Sequence, residues 1–447
     1  MLNFQSLGAI FPFLKQNFAE PKVFGSVRYF PYMPIEVSED DADYMEHWIT
    51  RVCTEVGPGG PGTPQERSRA MMAKDELEQY SDDVVVEDFT LSPRAFLGWI
   101  RVTICALALS MLFFYLIPVN PILFAILAVV MVALGFLIMW EEFFNYAEFL
   151  DPVFKKKTSE NIIGTLKSSD GGEPKKILIF SGHHDSAFQF NLLKWFKYGY
   201  FVITFVGIGS LFIYFALTVV RFVGILAGAD QLWVVMVVNG LLYVVIPVMI
   251  LLFFFQGTQK NGGQVPGAID NLSAVAIVLG VGRILKRARE QGANIVPEGI
   301  EIRFISFGSE EAGLRGAYRY AARHEEELHA KDAEIFNLDT ICDPNVQTII
   351  KREDTTRTIH STELIAKMAR AAQVSGVRCN VIAGPFISGG TDATPFSKKR
   401  IKAISLVSVP IWKFPTFYHQ PADNPAMINK KSLQDALKLA IAYIQLS

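Results

Sequence analysis

The sequence predicts a layered α/β domain with a mixed, mostly parallel central sheet flanked by helices, interrupted by two inserted membrane hairpins. In residues 142–191 and 257–447, short apolar segments of strand length alternate with longer segments of helical period, which is the pattern of α/β domains. Polar residues suited to catalysis directly follow several of these strands, where the ligand sites of such sheets lie. Four further apolar runs each have about the length of a bilayer-spanning helix.

The composition departs from that of an ordinary soluble protein. Of 447 residues, 51% are hydrophobic and 19% are charged, and the formal net charge is −2. Such apolar content indicates membrane segments, and the near-neutral charge without a Lys/Arg block excludes the usual nucleic-acid partner. Cys53, Cys105, Cys342 and Cys379 are scattered along the chain. They suggest neither a disulfide framework nor a CxxC metal motif, which favours a reducing compartment for the soluble part.

The chain begins with an aromatic-rich leader, residues 1–38, for which an interfacial helix is one interpretation. It lacks the basic region and small-residue cleavage site of a removable signal peptide. Further on, Thr63 followed by Pro64 has the pattern of a helix cap and first turn. The first part of the soluble domain is predicted to contain two helices and one strand, at residues 39–54, 64–80 and 84–91.

Four long apolar runs predict membrane helices, at residues 97–117, 122–140, 195–220 and 232–255. A large buried core is the alternative, but core helices of globular domains usually carry a polar face. We therefore assign residues 95–141 and 192–256 to two transmembrane hairpins. The soluble domain then consists of residues 39–94, 142–191, which carry the first metal ligand, and 257–447.

Basic residues are distributed unevenly around these runs. The hairpin tips carry only Arg221, beside Asp230. The ends that adjoin soluble sequence carry Arg94, Arg101, Lys155, Lys156, Lys157, Lys194, Lys197 and Lys260. Because positive loops stay on the cytoplasmic side, the sequence predicts a multi-pass integral membrane protein whose soluble domain is cytoplasmic.

The rest of the chain alternates between helix and strand. Helices are predicted at residues 272–290, 313–328, 361–373 and 431–444, and strands at residues 161–166, 177–182, 301–307, 333–338 and 402–407.

Residues with metal-binding side chains follow several of these strands. The strand ILIF ends in Ser-Gly-His183-His184-Asp185, and either histidine is a candidate ligand. The other candidates lie at strand ends or beside the last turns, namely Asp270, Glu310, Glu311, Asp339, Tyr418, His419 and Asp423. Carboxylate and imidazole ligands without thiolate suit zinc, cobalt or manganese, and the set is large enough for two ions that share a carboxylate. In isolation, Glu310 and Glu311 could equally be the acidic start of a helix.

Six motifs in order resemble those of the di-zinc exopeptidase family that contains bacterial aminopeptidases and glutaminyl cyclases. They are GHHDSA, PGAIDNLSAVA, FGSEEAGLRGA, NLDTI, GGTDATPF and YHQPADN. The resemblance also reaches upstream, to the entry loop and helix in EVGPGGPGTPQERSRAMMAKDEL. It covers most of the soluble sequence, and it implies an aminopeptidase-like fold.

The resemblance implies two zinc ions bridged by Asp270. One ion would be held by His183, Asp270 and Asp339, and the other by Asp270, Glu311 and His419. The family's His-x-Asp pattern selects His183 over His184 and leaves Asp185 to orient the imidazole.

The remaining residues of the motifs would have catalytic or supporting roles. Glu310 would be the general base that takes a proton from the zinc-activated water. Tyr418 would donate a hydrogen bond to the developing oxyanion, or it is simply a packed aromatic. Asp392 matches a family acid, but Ala393 stands where many relatives carry histidine, which leaves the role of this loop open. Asp423 either supports the ligands or belongs to a turn.

The resemblance thus predicts a membrane-anchored di-zinc aminopeptidase that hydrolyses the N-terminal residues of peptides. Glutaminyl cyclase or carboxypeptidase activity on the same site is an alternative, as is a catalytically silent membrane scaffold or chaperone. The second hairpin interrupts the chain between His183 and Asp270. We therefore expect the metal site to face the bilayer or a cleft beside it, and the substrates to be hydrophobic peptides released at the membrane.

Overall fold

The computed structural model describes residues 36–229, 231–257, 263–293, 295–384, 389–409 and 414–447. Residues 1–35 of the predicted leader, and Asp230 at a hairpin tip, lie outside these ranges. Nine strands are formed by the described residues: β1 (Asp83–Leu91), β2 (Lys157–Leu166), β3 (Lys176–His183), β4 (Ile300–Phe307), β5 (Glu334–Ile341), β6 (Gln347–Glu353), β7 (Thr358–Ile359), β8 (Cys379–Gly384) and β9 (Lys402–Ser408).

Helices lie between and around these strands. They are α1 (Glu39–Glu55), α2 (Pro64–Tyr80), α3 (Ala95–Leu116), α4 (Pro121–Met139), α5 (Asn191–Phe196), α6 (Gly199–Leu226), α7 (Leu232–Phe253), α8 (Ser273–Glu290), α9 (Arg315–Arg323), α10 (Glu325–Ala330), α11 (Thr362–Ser375), α12 (Thr394–Lys398), α13 (Phe414–Phe417) and α14 (Lys430–Gln445). The predicted cap at Thr63 is present, because its side chain accepts a hydrogen bond from the Glu66 N–H.

The strands form one mixed sheet in the order β1-β2-β4-β3-β5-β9-β6-β7, with β8 beside β6. The centre, β4-β3-β5-β9, is parallel, whereas β1, β2 and β7 pair antiparallel at the edges. This arrangement confirms the predicted fold class. His183 at the end of β3 lies opposite Phe307 at the end of β4, so the polar residues that follow these strands meet at one edge of the sheet.

Alternate residues of the central strands bury their side chains on opposite faces of the sheet. On one face, Ile177 and Ile179 join a cluster with Tyr320 of α9. On the other, Phe180 packs edge-on against Tyr443 of α14, at a ring-centroid distance of 6.4 Å. With apolar side chains on both faces, the sheet is enclosed between helical layers, which explains why its strands are continuous apolar runs.

The two hairpins pack together as a four-helix bundle. Helix α3 contacts α4 and α7, and α6 contacts α4 and α7. The bundle has its own apolar core, in which Tyr214 of α6 lies beside Phe114 of α3. The hydroxyl of Ser110 donates to the Ala128 carbonyl oxygen at 2.7 Å and thereby links α3 to α4.

Five helices among the described residues are long and apolar enough to cross a membrane. Four of them are the bundle helices, where only 17–33% of each apolar window is buried. Their outward surface includes large apolar side chains such as Met236 and Tyr243, which are 66% and 85% exposed. The fifth comprises residues 268–290 and is 94% buried, because α8 packs on β3, β4 and β5. Its apolar composition is therefore explained by the domain core.

The structure differs from the predicted elements at two places. The helix predicted over residues 313–328 is divided into α9 and α10. Gly313 and Leu314 have positive φ angles, and His324 leaves helical geometry where its Nε2 lies 2.7 Å from Glu87 Oε1. In addition, the sequence patterns predict none of β6, β7, β8 and α12, which lie on either side of the predicted helix at residues 361–373. β7 has only two residues, β8 lies at an edge of the sheet, and β6 ends in charged residues, so these strands lack the long apolar runs of β3 to β5.

We expect Gly182→Ala to destabilise the domain. A Cβ atom on Gly182 would lie 2.6 Å from the Ala274 Cβ and 3.2 Å from the Ala274 backbone carbon. Helix α8 would have to move away from β3, at a cost of about 1–3 kcal/mol. Thermal unfolding of the purified protein should show a Tm lower by several degrees. Gly172→Ala, in an exposed loop where the nearest atom is 3.5 Å away, is the matched control, and equal Tm values for both variants would contradict the expectation.

Candidate metal centre

The polar residues singled out in the sequence come from five separate segments that meet at one edge of the sheet. His183 ends β3, and Glu310 and Glu311 form a short turn after β4. Asp339 lies within β5. The other two contributors are Asp270, in the irregular turn before α8, and His419, just after α13.

Three overlapping groups of these side chains place their ligand atoms within 4.8 Å of one another. The groups are His183 with Asp270 and Asp339; Asp270 with Glu311 and His419; and His183 with Glu310 and Glu311. The first two groups are the sets that the sequence resemblance implies. Imidazole nitrogen and carboxylate oxygen are donors typical of zinc.

Asp270 occupies the middle of the centre. Its Oδ1 lies 3.4 Å from the Nε2 of His183, and its Oδ2 lies 3.3 Å from the Nε2 of His419. On the far side, the Nε2 of His419 is 3.1 Å from the Oε1 of Glu311. Each oxygen of one carboxylate therefore faces a different imidazole, which is the arrangement needed for a carboxylate that bridges two cations.

Asp185 supports two parts of the centre at once. Its Oδ1 lies 3.3 Å from the Nδ1 of His183, so the imidazole can direct its Nε2 towards Asp270. The same carboxylate accepts hydrogen bonds of 3.0 Å from the backbone N–H groups of Glu310 and Glu311. Asp185 thus fixes His183 relative to the turn that carries both glutamates.

Asp423 and Asn271 hold the turn that contains Asp270. The carboxylate of Asp423 accepts hydrogen bonds from the N–H groups of Ile269 and Asp270, at 2.6 and 3.2 Å. The Asn271 side chain donates to the Leu338 carbonyl and accepts from the N–H of Thr340. Both contacts tie the turn to neighbouring segments, and the Asn271 contacts place Asp270 beside Asp339. Asp423 therefore does more than shape its own loop.

Burial and crowding favour the protonated forms of several carboxyl groups. Burial, and then the charge of Asp270, raises the pKa of Asp339 to about 7. Burial likewise raises the pKa of Glu310 well above its ordinary value, with a smaller contribution from Glu311. Asp270 behaves differently, because the two imidazoles outweigh burial and lower its pKa. A divalent cation would relieve this repulsion, so the donor set fits a metal ion.

His184, the alternative ligand candidate, lies apart from the three donor groups. The Nδ1 of His184 lies 2.9 Å from the Ser306 hydroxyl, and His184 belongs to none of the three donor groups. Burial lowers the pKa of His184 to about 4.

The Tyr418 ring stacks on the His419 ring, with a centroid distance of 3.9 Å and an interplanar angle of 19°. It also packs against the apolar cluster at the base of the hairpins.

The segment that enters the second hairpin contacts His419 directly. The Phe190 ring lies edge-on to the His419 ring at 4.2 Å, and the Phe190 N–H donates to the His419 carbonyl at 3.0 Å. The Gln420 side chain donates back to the Phe190 carbonyl at 2.9 Å. Asn191, which begins α5, donates its N–H to the carbonyl of Phe255, just after α7. Both ends of the hairpin are thus connected to the segment that carries His419.

Arg69 and Glu66 support the centre from α2, and the sequence reasoning did not single them out. The guanidinium of Arg69 is fully buried and donates to the carbonyls of Gly57, His184 and Pro266. Glu66 accepts hydrogen bonds from the hydroxyls of Ser159 and Ser309. Burial, and then the charge of Asp185, raises the pKa of Glu66 well above its ordinary value.

A signal for these two residues was present in the sequence. The buried face of α2 includes Glu66, Ala70, Ala73 and Leu77 at helical spacing, with Arg69 on the same side. Charged residues on the core-facing stripe of a helix are uncommon unless they are paired or bonded to buried groups.

Part of the chain is similar in sequence to known peptidases. Residues 256–444 match Peptidase family M28. The chain is 31% identical over 186 residues to Aminopeptidase YwaD of Bacillus subtilis, a match that covers 40% of this chain and 37% of that protein.

Among solved structures, the fold is similar to that of a zinc aminopeptidase from Bacillus subtilis, with a TM-score of 0.50 and 17% identity, over 90% of this chain and 94% of that one. It is also similar to the glutaminyl cyclase of Fimbriiglobus ruber, with a TM-score of 0.53 and 12% identity, over 95% and 100% of the two chains. At these identities the structural matches establish the fold.

We expect Arg69→Lys to weaken metal binding. The three N–H groups of lysine diverge from one nitrogen and cannot reproduce the planar fork that reaches three separate carbonyls, so the loop after His183 and the loop before Asp270 would lose their common support. Zinc affinity, measured by competition with a chelator, should fall about 10–100-fold. Arg67→Lys, on the exposed side of the same helix, is the matched control. Wild-type zinc affinity in the Arg69 variant would show that the bonds are not needed.

Proposed function

We propose that the chain is a membrane-anchored di-zinc aminopeptidase, because residues 256–444 match Peptidase family M28. The observation that carries the proposal is the position of Asp270, whose two carboxylate oxygens face two different imidazoles. In this proposal His183, Asp270 and Asp339 hold one zinc ion, and Asp270, Glu311 and His419 hold the other. When bound, the two ions would polarise the peptide carbonyl and favour ionisation of a nearby water.

Glu310 is the proposed general base. Its Oε2 lies 3.7 Å from the Nε2 of His183, at the edge of the donor groups, and its backbone is fixed by Asp185. Burial raises its pKa, so its carboxylate is a stronger proton acceptor than that of an exposed glutamate and could pass the proton to the leaving amine. Tyr418 supports the developing oxyanion in this proposal, with its ring held by His419 and the base of the hairpins.

We further propose that α3, α4, α6 and α7 cross the bilayer with the catalytic domain on the cytoplasmic side. The support is their small buried fraction and their apolar outward surface, together with the basic residues at their domain-proximal ends. Phe190 connects the second hairpin to His419, so the catalytic centre lies close to the base of the bundle. Peptides with apolar segments would be concentrated there by the bilayer, and these are the proposed substrates.

A peptide-library digest with the reconstituted protein, read by mass spectrometry, tests the activity. The library should contain matched peptides with and without an apolar segment. We expect release of N-terminal residues and a higher kcat/KM for the apolar members. Release from the carboxyl end, cyclisation of N-terminal glutamine, or no turnover at all would contradict the aminopeptidase assignment. Equal kcat/KM for the matched pairs would contradict the substrate class alone.

Glu310→Gln should lower kcat by about 10²–10⁴-fold, because the amide cannot accept the proton. Zinc content, measured by atomic absorption, should remain that of the wild type, since Glu310 is not among the proposed ligands. Glu290→Gln, at the exposed end of α8, controls for the loss of a negative charge. Wild-type turnover in the Glu310 variant would exclude this residue as the base.

The topology is testable with a membrane-impermeant lysine reagent. Lys155 and Lys156 are exposed on the domain side of the first hairpin. We expect them to be protected in sealed right-side-out vesicles and labelled in inverted ones, as read by peptide mapping. A variant carrying Lys155→Arg and Lys156→Arg should lose the labelled peptide, which assigns the label to these two lysines. Labelling in right-side-out vesicles would place the catalytic domain on the opposite side of the membrane.

A further inference from the structure

Asp392, in a loop beside the metal centre, has a buried carboxylate that is not among the proposed metal ligands. Asp392 is only 1% exposed, and neither of its carboxylate oxygens has a hydrogen-bond partner in the part of the chain that the structure describes. It belongs to none of the three groups of converging ligand atoms. A buried carboxylate without a partner costs free energy, so such a group is expected to meet a cation when the site is in use.

The electrostatic surroundings of Asp392 place it towards the metal centre. The charges that act on it include those of His183, Asp339 and Asp185, and its own charge contributes to the raised pKa of Glu310. A cation bound by Asp392 would therefore act electrostatically on the proposed general base.

Hydrogen bonds to the buried carboxylate of Glu353 hold the loop that carries Asp392. Glu353 is buried and accepts hydrogen bonds from the N–H and hydroxyl of Thr391, at 3.0 and 2.7 Å, and from the hydroxyl of Thr394. The Thr356 hydroxyl donates to the same carboxylate at 3.0 Å. The backbone on either side of Asp392 is therefore fixed, although Asp392 itself has no bond within this network.

The loop is also held by Tyr146, which lies in the segment that follows the first hairpin. The Gly390 N–H donates to the Tyr146 hydroxyl oxygen at 2.8 Å. The approach is close: a Cβ on Gly389, which has a φ of +87°, would lie 3.1 Å from that oxygen. Any side chain at this position would be both strained and crowded.

Tyr146 is itself held firmly in place. Its ring packs at 4.8 Å from Phe96 of α3, and its carbonyl accepts a 2.7 Å hydrogen bond from Arg315 at the start of α9. Its φ of +56° is unusual for a residue with a side chain and is maintained only where the surroundings demand it. The first hairpin, the start of α9 and the Asp392 loop therefore meet at this one side chain.

We propose that Asp392 binds the protonated N-terminus of the peptide substrate, and that Tyr146 is the positioning residue that holds Asp392 in place from the first hairpin. This inference rests on the proposed aminopeptidase function and names the group that would select a free N-terminus. Ammonium and carboxylate form a charge-assisted hydrogen bond, about twice as strong as a neutral one. The site is separate from the ligand set, so occupation by the amine does not compete with zinc.

Binding of a small amine to the zinc-loaded full chain in nanodiscs tests the site without turnover. The probe is leucinol, and isohexanol, which lacks only the amine, is the reference compound. We expect Asp392→Asn to raise the calorimetric Kd of leucinol about tenfold or more and to leave that of isohexanol unchanged. Unchanged leucinol affinity in a variant with normal zinc content and Tm would overturn the amine site.

The role of Tyr146 is tested by combining variants. Tyr146→Phe should raise the Kd of leucinol about fivefold, because the Gly390 N–H loses its partner and the loop loosens. Added to Asp392→Asn, it should have no further effect, since its contribution acts through Asp392. Tyr318→Phe is the matched control, because Tyr318 packs in the same cluster as Tyr146 but its hydroxyl accepts from Lys398. Independent effects of the two substitutions, or an equal effect of the control, would overturn the positioning role.

Kinetics separates this inference from the function on which it depends. With a free-amine peptide, both variants should raise KM with little change in kcat, as expected for lost substrate binding. A wild-type protein that binds leucinol through Asp392 but hydrolyses no peptide would refute the aminopeptidase function and retain the amine site. If the wild-type protein hydrolyses peptides and the Asp392→Asn variant keeps the wild-type KM, the amine site is refuted and the aminopeptidase function is retained. Should Tyr146→Phe fail to fold, Asp392→Asn alone still decides the amine site.

Discussion

Several carboxylates are held close together out of water at the end of the sheet, and their mutual repulsion constrains the surrounding fold. Two like charges 4 Å apart repel by about 4 kcal/mol at an effective dielectric constant of 20. The chain brings them together by anchoring the backbone behind each one. Asp423 bonds the turn of Asp270, and Asp185 bonds the turn of Glu310 and Glu311. Asp423 and Asp185 are themselves carboxylates, so a cation at the centre would stabilise both the proposed ligands and the carboxylates that anchor them.

The two hairpins reach the centre from different sides. The second contacts His419 through Phe190, and the first contacts the Asp392 loop through Tyr146. The Phe190 contact combines a packed aromatic ring with a backbone hydrogen bond to His419, and the Tyr146 contact is a hydrogen bond from the Gly390 N–H to a side-chain hydroxyl whose ring packs on Phe96. The bundle is therefore part of the framework of the site as well as the proposed anchor. If the helices cross a bilayer as proposed, a change in its thickness that shifts them would alter both contacts.

Sequence reasoning succeeded where a physical pattern was strong. The central strands are continuous apolar runs, and the ligand residues directly follow strands or lie in recognisable motifs, so the fold class is confirmed and His183, Asp270, Glu311, Asp339 and His419 do converge. It failed where the deciding interaction is long-range. Nothing local ends a helix at His324, since the contact there is with Glu87 of β1.

The same limit applies to the residues that support the centre. Tyr146 lies outside every motif, and its role depends on an approach by Gly390, 244 positions away. Arg69 bonds three loops that only the folded structure brings together. No periodicity or spacing reports such contacts.

The position of the second hairpin has a consequence for how the protein is made. His183 is translated before α6 and α7, and Asp270 after them, while β3 and β4 are hydrogen-bonded neighbours. The centre of the sheet therefore cannot close during synthesis until the whole hairpin has left the ribosome. If the hairpin enters the bilayer as it emerges, the two halves of the metal centre meet only after insertion. A peptidase assembled in this order would have no active form before membrane insertion, so cytosolic peptides would meet the assembled centre only at the bilayer surface.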